Sequence, residues 1–124
     1  MKDSMSALDL RAIASEFQSL LQSRVKKCYQ PHYEQIVLRL NPKGSQSVDM
    51  VIVRGSRVYL SQRDRPMPVN PGQFAMLLRK YLANARLVAI EQLEFDRVLH
   101  LTFETGHGFY HMYIEMFRDG NVLL

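Results

Sequence analysis

Between Arg54 and Arg86 the chain carries seven cations, Arg54, Arg57, Arg63, Arg65, Arg79, Lys80 and Arg86, and a single carboxylate, Asp64. This local excess of +6 exceeds the +4 of all 124 residues, so the flanking parts are together net acidic by two charges (4 − 6 = −2). Eleven of the sixteen basic residues are Arg, whose planar fork binds phosphate bidentately where Lys offers a compact point charge. Clustered guanidiniums neutralise phosphates and release counterions, which is the chemistry of a nucleic-acid surface. A solvated helix face beside a basic loop is the plain alternative.

A second constellation is Glu94-Phe95-Asp96-Arg97. Adjacent residues at a strand boundary point to opposite faces, so Asp96 and Arg97 cannot satisfy each other as a simple local pair. Arg97 could clamp phosphate or stack on a base, and Asp96 could accept from a base edge, an amino group or a 2′-hydroxyl. The alternative is an Asp at a turn next to a surface Arg. His107 and His111 form an H-x-x-x-H, but across a Gly-flanked turn and a strand, where that spacing does not gather ligands as it would on a helix, so no metal is expected. Glu91, Glu94, Asp96, Glu104 and Glu115 are ordinary strand-edge carboxylates, and nucleophile-elbow, phosphate-loop and dinucleotide fingerprints are lacking. No catalytic residue, cofactor or small-molecule substrate is expected.

The elements that must hold these groups follow from periodicity. Leu10, Ile13, Ala14, Phe17, Leu20 and Leu21 make a helical stripe over about residues 6–24, opened by Ser6-Ala7-Leu8-Asp9 as a capping box with Met5 and Leu10 as a staple. Alternating segments follow at Val25 to Gln30, Glu34 to Leu40, Val48 to Arg54 and Arg57 to Ser61. Gln30-Pro31-His32, Asn41-Pro42-Lys43-Gly44-Ser45 and Arg54-Gly55-Ser56 read as their turns. After a loop with Pro66, Pro68 and Pro71, a second helix is signalled by Asn70 as N-cap, Pro71 at the first position, and Val69 with Phe74 as staple. Its stripe is Phe74, Leu77, Leu78, Tyr81 and Leu82, and Arg79 and Arg86 share another face if the helix extends that far. Strands at Leu87 to Leu93, Arg97 to Phe103, Phe109 to Phe117 and Asn121 to Leu124 complete the pattern, with Gly106-His107-Gly108 and Asp119-Gly120 as hairpin turns.

At 124 residues and 47% hydrophobic composition the chain is expected to form one domain with one core. One cysteine, Cys28, permits no internal disulfide and reads as a small buried hydrophobe, which suits a reducing compartment. The polar opening segment lacks a signal-peptide core, and no run of eighteen apolar residues suggests a membrane span. Because the last strand stops at Leu124 right after its turn, the chain is expected to be excised from something longer.

Ala7-Leu8-Asp9-Leu10-Arg11-Ala12, Asp64-Arg65-Pro66, Phe74-Ala75-Met76-Leu77-Leu78-Arg79-Lys80-Tyr81-Leu82, Asn84-Ala85-Arg86-Leu87, Gln92-Leu93-Glu94-Phe95-Asp96-Arg97, Tyr110-His111 and Gly120-Asn121 together resemble the N-terminal domain of the NFACT family. These are NEMF- and RqcH-type proteins of ribosome-associated quality control, often named fibronectin-binding proteins. The resemblance implies a cytoplasmic, noncatalytic module that binds tRNA and large ribosomal subunits obstructed by peptidyl-tRNA. Bacterial and archaeal relatives would recruit alanyl-tRNA for untemplated C-terminal alanine tailing. The family's tRNA-engaging pair falls on Asp96 and Arg97, leaving Arg63, Arg65, Arg79, Lys80 and Arg86 as candidate phosphate-backbone contacts. The implied fold is α+β, an antiparallel β-sandwich of about eight strands with two main helices, similar to the N-terminal domain of formamidopyrimidine-type DNA glycosylases. A glycosylase-like DNA-processing enzyme, or another nucleic-acid-binding module, is the alternative. The N-terminal proline and adjacent glutamate of those enzymes have no counterpart in Met1-Lys2-Asp3-Ser4, or in a start at Met5. Export to an extracellular fibronectin-binding role is disfavoured by the absence of a visible signal.

Overall fold

A computed structural model describes residues 7–32, 34–42, 46–61, 72–93, 97–116 and 121–124, with side chains from Arg11 onward. The element order is α1 (Ala7–Glu16), a 3-10 turn (Phe17–Leu20), β1 (Arg24–His32), β2 (Gln35–Asn41), β3 (Val48–Val53), β4 (Arg57–Ser61), α2 (Gln73–Leu82), β5 (Arg86–Gln92), β6 (Val98–Thr105), β7 (Gly108–Glu115) and β8 (Val122–Leu123). All strand pairs are antiparallel. Their order, β4-β3-β2-β1-β5-β6-β7-β8, joins two four-stranded meanders at a β1–β5 seam.

That seam corrects the expected sandwich. Instead of two separate sheets there is one eight-stranded sheet, continuous through the register pair Arg24↔Arg86. Backbone bonds extend the seam on either side: Val25 N–H to Ala85 O at 2.8 Å, Leu87 N–H to Ser23 O at 2.8 Å and Gln22 N–H to Leu87 O at 2.7 Å. Counting alternating segments cannot reveal this pairing, because its two strands are far apart in sequence. Both halves of the sheet nevertheless contribute to one main apolar core. Ile36, Leu38, Leu40, Met50 and Ile52 from one half and Leu99, Leu101, Phe103, Met112 and Ile114 from the other belong to the same buried cluster.

Both helices add to this core through small and large residues in turn. The first is shorter than its periodicity suggests: α-helix ends at Glu16, and the 3-10 turn brings Phe17 and Leu20 inward together, since residues three apart eclipse in that geometry. The capping box and staple of α1 lie outside the described side chains, as do Val69, Asn70 and Pro71. The observed N-cap of α2 is Gly72, with φ 88° and no side-chain cap. A Cβ at that position would sit 2.8 Å from Gln30 Oε1, so both the backbone angle and the approach to β1 require glycine.

The stripe that α2 buries is Ala75, Leu78 and Leu82. Phe74 is half-buried, while Leu77 and Tyr81 of the expected stripe are exposed. Small Ala75 lets the helix seat closely on the sheet, which turns the Leu77 and Tyr81 side outward. The helix stops at Leu82 because Asn84 is left-handed (φ 59°) and its N–H donates to Val25 O. Among the strands, β1 continues through Gln30-Pro31-His32, where a register irregularity between Tyr29 and His32 accommodates proline's missing donor. Turns at Arg54-Gly55-Ser56 and Gly106-His107-Gly108 occur as the sequence suggests, with Gly55 at φ 68° and Gly108 at φ 123°. No described helix is long and apolar enough to cross a membrane.

Candidate nucleic-acid interface

Three described cations from the basic segment, Arg79, Lys80 and Arg86, sit in different surroundings. Arg79 turns back onto the sheet: its Nε donates to Cys28 O at 2.7 Å and its guanidinium lies 5.2 Å from the Tyr29 ring centre. Lys80 is exposed, with Nζ 5.4 Å from the Tyr81 ring. Arg86 is not on α2 at all, so it shares no helix face with Arg79; it opens β5 and forms an ion pair with Glu104. Arg63, Arg65 and Asp96 lie outside the described residues. Arg97 is half-buried just before β6. Its carbonyl accepts from Met116 N–H at 2.6 Å, and Leu93 N–H donates to Val98 O at 3.1 Å, so both ends of the β5–β6 connection are tied to the sheet.

On the outer face of the β1–β4 half, Arg39 is neutralised within the sheet, while exposed Arg57 lies 5.4 Å from the Tyr59 ring centre. Asp49, only 3% exposed, takes a two-pronged bond from Arg39, Nε to Oδ1 at 2.8 Å and Nη2 to Oδ2 at 3.1 Å. Arg39 also lies 5.1 Å from the Tyr29 ring, so that phenol has guanidiniums from two elements beside it. Tyr29, Val37 and Val51 form a small second apolar cluster with Val53 and Tyr59 packed against it. Cys28 is fully buried, and loss of solvation pushes its thiol up from 9.0 to about 12, an effect that the nearby Arg79 charge only partly offsets. It is a core residue and no nucleophile at neutral pH.

The outer face of β5, β6 and β7 is different in kind. Cross-strand register sets three rows side by side: Glu91, His100 and Tyr113; Ala89, Thr102 and His111; Arg86, Glu104 and Phe109. In the first rows His100 Nδ1 meets Glu91 Oε1 at 2.9 Å and His100 Nε2 meets His111 Nδ1 at 2.8 Å. His100 also stacks on Tyr113, ring centres 4.7 Å apart and planes nearly parallel at 4°. If Glu91 is ionised and accepts from Nδ1–H of a neutral His100, His111 must donate through its own Nδ1–H, and its Nε2 is left as an acceptor. His107 occupies the β6–β7 turn, where its N–H donates to Thr105 Oγ1 at 3.1 Å. Among the described residues no group of three His, Cys, Asp or Glu is placed to hold a metal ion.

The last row borders a groove of about 450 Å³ lined by Arg24, Asn84, Arg86, Glu104, Gly106 and Phe109, among others. Arg24 and Arg86 face each other across the β1–β5 seam, and Phe109 is 60% exposed at its rim. Sequence reading missed Arg24 and Phe109 as functional candidates. The signal was available in β7, where aromatic Phe109 and Tyr113 occupy the phase opposite to core-facing Met112 and Ile114.

Residues 6–124 match the family described as NFACT N-terminal and middle domains. Among curated relatives, the chain is 38% identical to the archaeal Rqc2 homolog aRqcH of Methanocaldococcus jannaschii, over 99% of this chain and 19% of that protein. It is 37% identical to ribosome quality control complex subunit 2 of Saccharomyces cerevisiae, over 100% of this chain and 12% of that one. It thus spans under a fifth of these relatives' length. Among solved structures, the N-terminal domain of fibronectin-binding protein PavA from Streptococcus pneumoniae superposes with a TM-score of 0.80 at 28% identity, covering 94% of this chain and 48% of that one. With the match extending over nearly every residue, this chain belongs to the NFACT family.

Proposed function

We propose that the chain is a noncatalytic, cytoplasmic RNA-binding module that engages tRNA and the large ribosomal subunit within a ribosome-associated quality control factor. The observation that carries this reading is similarity along essentially the whole chain to relatives named as ribosome quality control subunits. In this reading the parent protein recognises large subunits obstructed by peptidyl-tRNA and recruits tRNA for untemplated C-terminal tailing, with alanyl-tRNA the substrate in bacterial and archaeal relatives. Peptide-bond formation belongs to the ribosome. Asp96 and Arg97 form the selective pair, supported by the backbone bonds at Leu93 and Arg97 that fix both ends of their connection. Arg63, Arg65, Lys80 and Arg86 remain backbone-contact candidates, Arg86 from the groove beside Glu104, while Arg79 has an internal role in β1 packing.

The experiment is tRNA association of the full-length protein with Asp96→Ala and Arg97→Ala combined. Loss of association with an unchanged melting temperature is expected, and retained association would reject the assignment of the pair. A glycosylase-like fold relationship is compatible with eight antiparallel strands and two helices but brings no reaction with it. Incubation with damaged duplex DNA should give neither strand scission nor a borohydride-trapped adduct. The fibronectin binding named for the structural neighbour is the other reading; immobilised fibronectin is expected not to retain the chain.

A further inference from the structure

We infer that the groove between the β1–β5 seam and the β6–β7 turn binds one unpaired nucleotide of single-stranded RNA, with its phosphate on Arg24 and Arg86 and its base on Phe109. The inference rests on RNA being the partner, and it assigns a site separate from the Asp96–Arg97 connection.

Charge comes first. The register places two guanidinium side chains directly opposite each other on neighbouring strands, an arrangement that repels unless an anion intervenes. One carboxylate is present, Glu104, and it is engaged by Arg86. Arg24 donates Nη1 to the neutral carbonyl of Asn84 at 3.1 Å; the unpartnered Arg86 Nε is itself buried, so any ligand meets that guanidinium through its terminal nitrogens. Two cations and one anion leave the groove with a charge of about +1 and donors to match, and a phosphodiester supplies the missing charge with a geometry suited to a guanidinium fork.

Shape and apolar surface then narrow the ligand. A volume of about 450 Å³ lies in the range that holds a small ligand, enough for a nucleotide and far short of a duplex. Phe109 stands 60% exposed on the rim, with no packing role that explains an aromatic side chain there. Exposed aromatic rings on a sheet face beside cations are how single-stranded bases are held, since every base offers a flat face for stacking. Gly106 at the turn has nothing within 4 Å of where a Cβ would be, so the rim is open to a splayed base. Glu104 lies next to Phe109 in register and can accept from a ribose 2′-hydroxyl.

The chain also shapes this seam with two strained residues. Gln22 (φ 73°) and Asn84 (φ 59°) are the only left-handed non-glycine residues among those described. They flank Arg24 and Arg86, and their reversals bring the two arginines opposite each other. Backbone held in such conformations is often found where a site is being built.

The test is fluorescence anisotropy of the chain with a fluorescein-labelled ten-nucleotide oligouridylate, repeated for Phe109→Ala and Arg24→Gln, with thermal melts confirming that both variants fold. Wild-type binding that falls on the order of tenfold in Phe109→Ala, and falls in Arg24→Gln with a salt dependence shallower by about one unit of log–log slope, is the expected result. Adenosine monophosphate should compete, and inorganic phosphate at equal concentration should not. Absence of binding, undiminished binding in both variants, or equal competition by phosphate would overturn the inference. Full-length tRNA association separates it from the proposed function: groove variants that bind tRNA normally while Asp96→Ala/Arg97→Ala does not would remove the groove alone, and the reverse pattern would remove the Asp–Arg pair alone.

Discussion

The β1–β4 face and the β1–β5 seam treat their arginines in opposite ways. In the β1–β4 half, Arg39 is locked to buried Asp49 by two bonds and Arg79 is drawn from α2 onto Cys28 O, both beside Tyr29. Across the β1–β5 seam, Arg24 of β1 and Arg86 of β5 face each other with one carboxylate between two cations. Equal residue types therefore do different work: one pair holds the fold, and the other leaves a positive groove unmatched. The excess of basic residues in the sequence says that anions are welcome somewhere, but only the pairing of each fork says where.

Substitutions should separate the two regions by what they damage. Asp49→Ala is expected to cost about 3 kcal/mol or more in chemical denaturation, because it leaves Arg39 partly buried without its counter-charge. Replacing both partners with apolar residues should recover much of that loss; a double variant as unstable as the single one would contradict the pairing argument. The thiol of Cys28 gives a pH handle on the same half. Its folded value, about 12, lies above 9.0, so the unfolded chain releases the proton first and stability is fully present below pH 9 and falls as pH rises toward 12. By pH 10.5 the loss should be roughly 2 kcal/mol, since each unit is worth about 1.36 kcal/mol. Cys28→Ala should flatten that part of the curve, and an equally steep decline in the variant would show another group to be responsible.

Arg79→Ala should cost about 1 to 2 kcal/mol from the lost bond to the Cys28 carbonyl and the lost stacking on Tyr29. Arg86→Ala, whose ion pair with Glu104 is about 40% exposed, should cost under about 1 kcal/mol once solvent screening is counted. A larger loss for Arg86 than for Arg79 would invert the comparison. The smallest effect is expected for Phe109→Ala, within about 0.5 kcal/mol in thermal unfolding, because its ring contributes little to the core.

Much of the frame was legible in the chain. Leu99, Leu101 and Phe103 on β6, and Met112 and Ile114 on β7, fall in the alternation that the sequence displays, and all are buried. The Gly106-His107-Gly108 turn between them was equally plain. What escaped was set by long-range pairing. Ala83-Asn84-Ala85 could continue a helix by propensity, and the left-handed Asn84 with its bond to Val25 ends α2 there, which moves Arg86 onto a strand and separates it from Arg79. The opposition of Arg24 and Arg86 likewise arises from a seam between residues 62 apart, which no local pattern encodes. The Asp96–Arg97 pair came from resemblance and local reasoning, and its test remains tRNA association.

RNA held in the groove meets the β1–β5 seam and the β6–β7 turn, away from the Arg39–Asp49 pair on β2 and β3. Nuclear magnetic resonance of the ¹⁵N-labelled chain, titrated with the ten-nucleotide oligouridylate, tests this placement residue by residue. Amide shifts centred on Arg24, Arg86, Gly106, Gly108 and Phe109, with Tyr29, Arg39 and Asp49 unmoved, are the predicted result; shifts centred on Tyr29, Arg39 and Asp49, or no shifts at all, would contradict it.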